Sequence, residues 1–319
     1  MSIQIVEKEV TIKSNPALNG TFAVPKGRLE RIPAVLIIGG TGKIDRNGKV
    51  NKKLNLRLYR QLAEVLTGFG VATLRYDKRG VGASEGDYLV TGLWDLVEDA
   101  QAAVHFLKKQ PEVDPEKVIV LGHSEGSTIG TAVAARETLA GLILLSGAGE
   151  RISDALKRQR DLAREDILKA DGFLGAFLRL IGTQNKIEKQ AQQYTEKVIG
   201  STKEKMRIGL VPTNAKWIRE HFAYNVLEDL KQVTCPILAI TGERDIQADP
   251  EALEHLPAII EGDVEYYIVK NMGHSCKFQE RTSTMFSVKR DMIKEANLPL
   301  HPELVELLRG WILHRYITF

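Results

Sequence analysis

Ser124 has the sequence surroundings of a catalytic nucleophile. It is the central residue of G-H-S-E-G at 122–126, which fits the pattern G-x-S-x-G. The apolar run V-I-V-L at 118–121 predicts a strand buried on both faces, and the residues after 126 predict a helix. In such a strand-to-helix turn the serine stands at the helix N-terminus, where backbone N–H groups favour a developing negative charge. The sequence therefore predicts acyl transfer through a serine.

His274 is the predicted general base. A serine hydroxyl is a poor nucleophile without a base, and the chain offers seven histidines. His274 stands in a glycine-bearing loop, N-M-G-H, directly after a predicted strand at 264–269. In open α/β sheets ligands bind beyond the carboxyl ends of the strands, which is also the predicted position of Ser124.

Asp245 is the predicted partner of that histidine. It lies in T-G-E-R-D-I-Q-A-D-P, which follows a predicted strand at 236–241. Glu243 is closer to the strand end, and Asp249 is better placed to cap a following helix, so both are rival candidates. With Asp245 the chain order is serine, acid, histidine, which is the order of the α/β-hydrolase fold.

Two backbone N–H groups are expected to form an oxyanion hole. One belongs to Glu125, the residue after the nucleophile, and the other to the loop G-G-T-G at 39–42 after a predicted strand. Thr41 is the first candidate in that loop and Gly40 the second, and the glycines let the backbone approach a substrate. The side chain of Glu125 is expected to be solvated, with binding of a substrate amine as the alternative.

The elements that would hold these residues alternate between strand and helix. An antiparallel pair is predicted at 3–12 and 21–24. Further strands are predicted at 33–38, 71–76, 118–121, 139–146, 235–241 and 264–269. Amphipathic helices are predicted at 54–66, 93–107 and 302–316. This alternation predicts an α/β fold with a mostly parallel central sheet and helices on both faces.

One interval breaks the alternation. Residues 149–232 contain no convincing strand, and a structureless loop of this length is improbable in a compact domain. We therefore predict a body formed by 1–148 and 233–319 and a helical cap inserted at 149–232. Within it, 172–182 has an apolar helix face that includes Phe173 and Phe177. That face either packs on other cap helices or lines the substrate pocket.

Composition argues against several classes of partner. The net charge of +3 comes from 44 basic and 41 acidic residues that are interspersed, so neither nucleic acid nor a membrane is an expected partner. The sequence shows neither a signal-peptide pattern nor an apolar run of membrane-spanning length, which predicts a cytoplasmic protein. Two cysteines, Cys235 and Cys276, provide no disulfide framework and fit a reducing compartment.

Together the motifs resemble the α/β-hydrolase superfamily. The loop G-G-T-G-K-I-D-R-N-G at 39–48 is similar to the G-G-S-G-x-x-D-R-x-G loop of bacterial serine carboxylesterases, with Thr41 replacing a serine. R-Y-D-K-R-G-V-G-A-S, G-H-S-E-G, T-G-E-R-D and N-M-G-H extend the resemblance over the body. The long segment 275–300 has no counterpart in these motifs.

The resemblance implies a carboxylesterase that acts on a small-molecule ester, with no metal and no cofactor. It assigns the nucleophile to Ser124, the acid to Asp245, the base to His274, and the oxyanion donors to Thr41 and Glu125. An acyl thioesterase or an aminopeptidase-like amidase would use the same residues, because only the pocket differs. Acyl length, leaving group and oligomeric state do not follow from the sequence.

Overall fold

A computed structural model describes residues 4–27, 30–172, 177, 180 and 182–317. Its centre is an eight-stranded sheet with the order β1-β2-β4-β3-β5-β6-β9-β10. The strands are β1 (Ile5–Ile12), β2 (Leu18–Pro25), β3 (Ile32–Ile38), β4 (Ala72–Tyr76), β5 (Val113–His123), β6 (Gly141–Leu145), β9 (Ile237–Gly242) and β10 (Val264–Val269). β1 and β2 form the predicted antiparallel pair at the sheet edge, β2 and β4 are also antiparallel, and all other pairs are parallel.

Helices cover both faces of this sheet. The helices of the described residues are α1 (Leu58–Gly68), α2 (Leu93–Lys108), α3 (Glu125–Ala134), α4 (Ile152–Lys169), α5 (Thr183–Ile199), α6 (Ala215–Ala223), α7 (Val226–Leu230), α8 (Leu256–Ile259), α9 (Val288–Glu295) and α10 (Pro302–Tyr316). Side chains of β5 alternate between two cores: Val118 and Val120 pack with α2 and α3, whereas Ile119 and Leu121 pack with α1 and α10. This burial on both faces explains the continuous apolar run, and the predicted α/β architecture is confirmed.

The predicted start of the first helix is wrong. The helix begins at Leu58, and Leu54 and Leu56 lie in the preceding loop. Both loop leucines are nevertheless buried in the same core as α1. Leu54 matched the helical spacing of Leu58 and Leu62 because its loop folds back on the core, where Asn55 forms a β-bridge with Lys49.

The prediction that 149–232 lacks a strand is also wrong. Between α5 and α6 the chain forms an antiparallel hairpin of β7 (Lys205–Ile208) and β8 (Val211–Asn214). Gly209 in its turn has a φ of 61°, a conformation that glycine adopts readily. The hairpin was not recognised because its strands have only four residues each and are largely exposed. One of them also contains Pro212, which is tolerated because both strands of a two-stranded sheet are edge strands.

The carboxyl ends of the parallel strands meet at one edge of the sheet. The loop after β3 contains Gly40 and Thr41, and the turn after β5 contains Ser124. Asp245 follows β9 and His274 follows β10 at the same edge. The parallel topology thus brings together residues that are up to about 230 positions apart in the sequence.

Candidate active site

Ser124 stands in a sharp turn between β5 and α3. Its backbone has a φ of 56° and a ψ of −122°, which is a strained conformation for a residue with a side chain. The flanking glycines make the turn possible. A Cβ at Gly122 would lie 2.1 Å from the carbonyl oxygen of Gly126, and a Cβ at Gly126 would lie 2.1 Å from that of Ile38. The local sequence therefore enforces the sharp turn that places Ser124 at the N-terminus of α3.

His274 and Asp245 are in direct contact. The imidazole Nδ1 lies 2.9 Å from Asp245 Oδ2 and 3.1 Å from Oδ1. The buried carboxylate also accepts hydrogen bonds from the backbone N–H groups of Gln247 and Ala248, at 2.8 and 3.0 Å. Burial alone would raise the pKa of Asp245, but His274 and these N–H groups reverse that effect and lower it. An ionised Asp245 holds Nδ1 as the protonated nitrogen, which leaves Nε2 free to accept a proton.

The rival carboxylates have other partners. Glu243 is exposed and accepts a hydrogen bond from the Asn271 N–H at 3.2 Å. Asp249 accepts from the Glu251 N–H at 3.0 Å, at the start of the 3₁₀ turn Glu251–His255. Asp245 is thus the one of these three carboxylates that contacts His274.

A cavity of about 410 Å³ opens over Ser124. His274, Gly40, Thr41 and Glu125 are among the residues that line it. Among the described residues no hydrogen bond joins Ser124 Oγ to His274, as is common before a substrate is bound. Ser124, His274 and both segments expected to form the oxyanion hole therefore line one cavity.

Among the described residues, the N–H of Gly40 donates a hydrogen bond, whereas the N–H of Thr41 does not. Gly40 donates its N–H to the hydroxyl oxygen of Tyr59 at 2.7 Å. The Thr41 N–H has no partner within the described part of the chain. The Glu125 N–H belongs to the first turn of α3, where N–H groups lack intrahelical acceptors. Of the two candidates in the loop, Thr41 is therefore the one with a free donor.

A family model described as serine aminopeptidase, S33, matches residues 55–281, more than half of the chain. The chain belongs to this family of α/β hydrolases. The esterase EstD of Thermotoga maritima is 25% identical in an alignment of 282 residues, which covers 84% of this chain and 61% of EstD. The chain thus spans about three fifths of the length of that relative.

Solved structures show the same fold. Est1E from Butyrivibrio proteoclasticus, solved with ferulic acid bound, has a TM-score of 0.62 at 19% identity, covering 96% of this chain and 98% of Est1E. The α/β hydrolase GrgF from a Penicillium species has a TM-score of 0.61 at 16% identity, covering 99% of this chain and 100% of GrgF. At these identities the likeness concerns the fold, and it confirms the predicted α/β-hydrolase fold.

A hydrogen-bond chain that the sequence did not reveal runs beneath the site of this hydrolase. The Tyr59 hydroxyl accepts a hydrogen bond from the Gly40 N–H and also lies 3.3 Å from His123 Nδ1. On the other side of the ring, His123 Nε2 lies 2.9 Å from the carbonyl oxygen of His274. Because a carbonyl only accepts, Nε2 carries the proton and Nδ1 accepts from Tyr59. Burial, followed by the charge of His274, lowers the pKa of His123 to about 3 and keeps it neutral. The chain links the Gly40 loop to the His274 loop.

The prediction of a solvated Glu125 side chain is wrong. Glu125 is 4% exposed, and its carboxylate lies 2.7 Å from Lys78 Nζ, 3.2 Å from His221 Nε2 and 2.5 Å from Trp217 Nε1. Burial alone would raise the pKa of Glu125, but Lys78 and His221 reverse this and lower it. The partners come from the turn after β4 and from α6, which sequence spacing could not connect with Ser124. Lys78 donates to its Oε2 and Trp217 donates to its Oε1, so both oxygens of this carboxylate are already satisfied.

The predicted pocket residues of 172–182 are only partly described. Phe173 lies outside the described residues. Phe177 is 45% exposed and is not among the described residues that line the cavity. One described part of the cavity wall is a face of α4, at the helical spacing i, i+3, i+4, i+7. These residues are Ile152, Ala155, Leu156 and Gln159.

Two kinds of feature are absent from the described residues. None of their helices is long and apolar enough to cross a membrane. No group of three or more histidine, cysteine, aspartate or glutamate side chains in that part of the chain could hold a metal ion.

Proposed function

We propose that this protein is a serine hydrolase that cleaves carboxylic esters through an acyl-enzyme. The observation that carries the proposal is the His274–Asp245 pair, which shares one cavity with Ser124. The name of the similar protein EstD, which is called an esterase, supports it. Ser124 is proposed as the nucleophile, His274 as the base and Asp245 as the acid that orients it.

The proposed reaction has two stages. Ser124 Oγ attacks the acyl carbon while its proton moves to His274 Nε2, and the N–H groups of Thr41 and Glu125 stabilise the oxyanion. The intermediate then expels an alcohol, which takes the proton from His274. Water attacks the acyl-enzyme with His274 again as base, and the carboxylic acid leaves as Ser124 regains its proton.

The charges around the cavity favour an ester over a peptide with a free amino terminus. An α-ammonium group would need an unpaired carboxylate, because burying an unpaired charge is costly. The carboxylates among the described lining residues are Glu125 and Glu150. Glu125 is paired with Lys78, and Glu150 is bound through both oxygens by Arg158 at 2.9 and 3.0 Å. Neither is available to an amine.

We further propose that 149–232 acts as a cap inserted into a body of 1–148 and 233–319. The support is that α4 and α6 contribute side chains to the cavity, including Leu156 and Trp217, although the body supplies Ser124 and His274. Selectivity would then reside in the cap and chemistry in the body. The cytoplasmic location stays a prediction from the sequence.

A substrate panel tests the proposed activity. We expect p-nitrophenyl esters to be hydrolysed with a higher kcat/KM than acyl-CoA thioesters, and aminoacyl anilides to be poorer by about 100-fold or more, since their ammonium group finds no partner. Initial rates at matched acyl groups give the comparison. Preferred turnover of aminoacyl anilides would reject the ester assignment and make the protein an aminopeptidase.

The acyl-length preference should depend on α4. Leu156→Ala opens volume in the cavity wall, so we expect the preferred acyl chain to become longer, with relative kcat/KM changing by about 10-fold to 200-fold. A chain-length series of esters measures this, with Phe177→Ala as the matched control. If Phe177→Ala shifts the profile and Leu156→Ala does not, the wall belongs to 172–182.

A further inference from the structure

Lys78 is a buried cation directly beneath the candidate site. It follows Asp77 in the turn after β4 and is 4% exposed. Its Nζ donates to the carbonyl oxygen of Gly40 at 2.5 Å and to Glu125 Oε2 at 2.7 Å. A buried ammonium group is costly unless such partners compensate it. Both partners belong to the two segments that are proposed to bind the oxyanion.

The contact with Gly40 fixes the direction of the Thr41 N–H. The carbonyl of Gly40 and the N–H of Thr41 belong to the same planar trans peptide, so they point in opposite directions. Because Lys78 holds the carbonyl towards the protein interior, the Thr41 N–H points away from the ammonium group. The N–H of Gly40 is fixed as well, by Tyr59. The peptide that carries the proposed oxyanion donor is therefore held on its carbonyl side by one charged hydrogen bond.

The contact with Glu125 fixes the second donor. Glu125 supplies its backbone N–H at the start of α3, while its side chain turns inward to Lys78. Trp217 and His221 of α6 contact the other carboxylate oxygen. The carboxylate is thus held from two sides, and one ammonium group connects the segments of both oxyanion donors.

We propose that Lys78 is a positioning residue for the oxyanion hole, and that it sets the Thr41 N–H relative to the Glu125 N–H without touching the substrate. This inference rests on the proposed ester hydrolysis. The competing explanation is that Lys78 only balances the charge of Glu125. The two explanations predict different turnover rates for a variant in which both charges are removed together.

The decisive comparison is Lys78→Met against the double variant Lys78→Met/Glu125→Gln. The single variant leaves a buried carboxylate unpaired and should lower the melting temperature strongly. The double variant removes both buried charges, so it should regain much of the lost stability. If Lys78 positions the donors, both variants keep a kcat reduced by about 100-fold with little change in KM, because the loss concerns the transition state. Recovery of kcat together with the melting temperature in the double variant would overturn the proposal.

Arg79→Met is the matched control. Arg79 is the neighbouring residue, is also buried, and pairs with Asp99 at 2.7 Å, away from the cavity-lining residues. We expect a lower melting temperature and a kcat within about twofold of wild type, since a broken buried pair costs stability. A loss of kcat equal to that of Lys78→Met would assign the effect to the whole turn and contradict a specific role for Lys78.

Inhibitor binding gives a readout that does not depend on turnover. Ser124 Oγ adds to the boron of an alkylboronic acid while its proton moves to His274 Nε2, and the resulting tetrahedral anion resembles the intermediate. The product carboxylic acid forms no such adduct. In the double variant we expect boronate affinity to fall by about 100-fold and product affinity to stay unchanged. Equal losses for both ligands would indicate a disordered pocket and overturn the proposal.

Wild-type behaviour separates this inference from the proposed function. If wild type hydrolyses esters but the double variant retains kcat and boronate affinity, only the role of Lys78 is wrong. If wild type hydrolyses no ester and no fluorophosphonate labels Ser124, the hydrolase proposal fails, and the Lys78 inference fails with it.

Discussion

Ser124→Ala is expected to remove nearly all ester hydrolysis, with kcat falling by about 10⁶-fold, because the proposed acyl-enzyme cannot form without Oγ. The fold should be almost unaffected. The hydrogen bond that anchors this turn is made by the backbone, from the Ser124 N–H to the carbonyl oxygen of Leu145 at 2.9 Å, and alanine retains it. We therefore expect a free energy of unfolding within about 1 kcal/mol of wild type, measured by denaturant titration beside kcat.

Fluorophosphonate labelling locates the nucleophile independently of any substrate. The reagent should phosphonylate Ser124 in wild type and leave Ser124→Ala unlabelled, as read by peptide mapping. Ser127→Ala is a suitable control, because Ser127 lies one turn further along α3 and its Oγ donates to the carbonyl of Gly122 at 3.0 Å. That variant should lose stability but keep the label. Labelling of another residue, or of Ser124→Ala, would refute the assignment.

The parts of the site that sequence predicted are those encoded by local pattern. The turn at 122–126 was recognisable because its glycines are required by contacts within the strand–turn–helix unit, such as that between Gly122 and Gly126. His274 and Asp245 were found because each directly follows a strand of recognisable composition. A parallel sheet gathers such positions at one edge, so the contact between the two side chains followed from topology.

The parts that sequence missed depend on contacts between distant segments. Tyr59 lies on α1 and His123 lies on β5, and only the packed fold shows that they connect the Gly40 and His274 loops. The side chain of Glu125 was expected in solvent because glutamate is usually exposed. It is buried because Lys78 and α6 supply partners from elsewhere in the chain. Periodicity carries no information about such pairs.

The same limit applies to the cavity wall. Residues 172–182 have the stronger apolar pattern, but part of the described wall is formed by α4, a helix of mixed composition that the sequence did not single out. Four side chains at helical spacing are sufficient to line a cavity while charged residues occupy the rest of the helix. Amphipathicity thus indicates that one face of a helix is buried, but it does not identify the segment that packs against that face.

Asp245→Asn should reduce kcat by about 10⁴-fold while the protein remains folded. Asparagine has the same shape, and its carbonyl oxygen still accepts from the N–H groups of Gln247 and Ala248. Its NH₂ group, however, would face His274 Nδ1 and donate to it, which moves the imidazole proton to Nε2. The nitrogen that accepts the Ser124 proton in the proposed reaction is then already protonated, and the negative charge that would stabilise the imidazolium ion is lost. Steady-state kinetics with circular dichroism and a melting curve measures both effects.

The rival carboxylates provide matched controls for this experiment. Glu243→Gln removes an exposed charge, and Asp249→Asn changes a residue that accepts from the Glu251 N–H, so neither alters the partner of His274. We expect kcat within about threefold of wild type for both, the scale of a surface substitution. If Glu243→Gln proves the damaging change and Asp245→Asn the mild one, the acid is Glu243. The loop after β9 would then have to rearrange when a substrate binds. In the described part of the chain, Asp245 is the only residue that forms a hydrogen bond with His274 Nδ1.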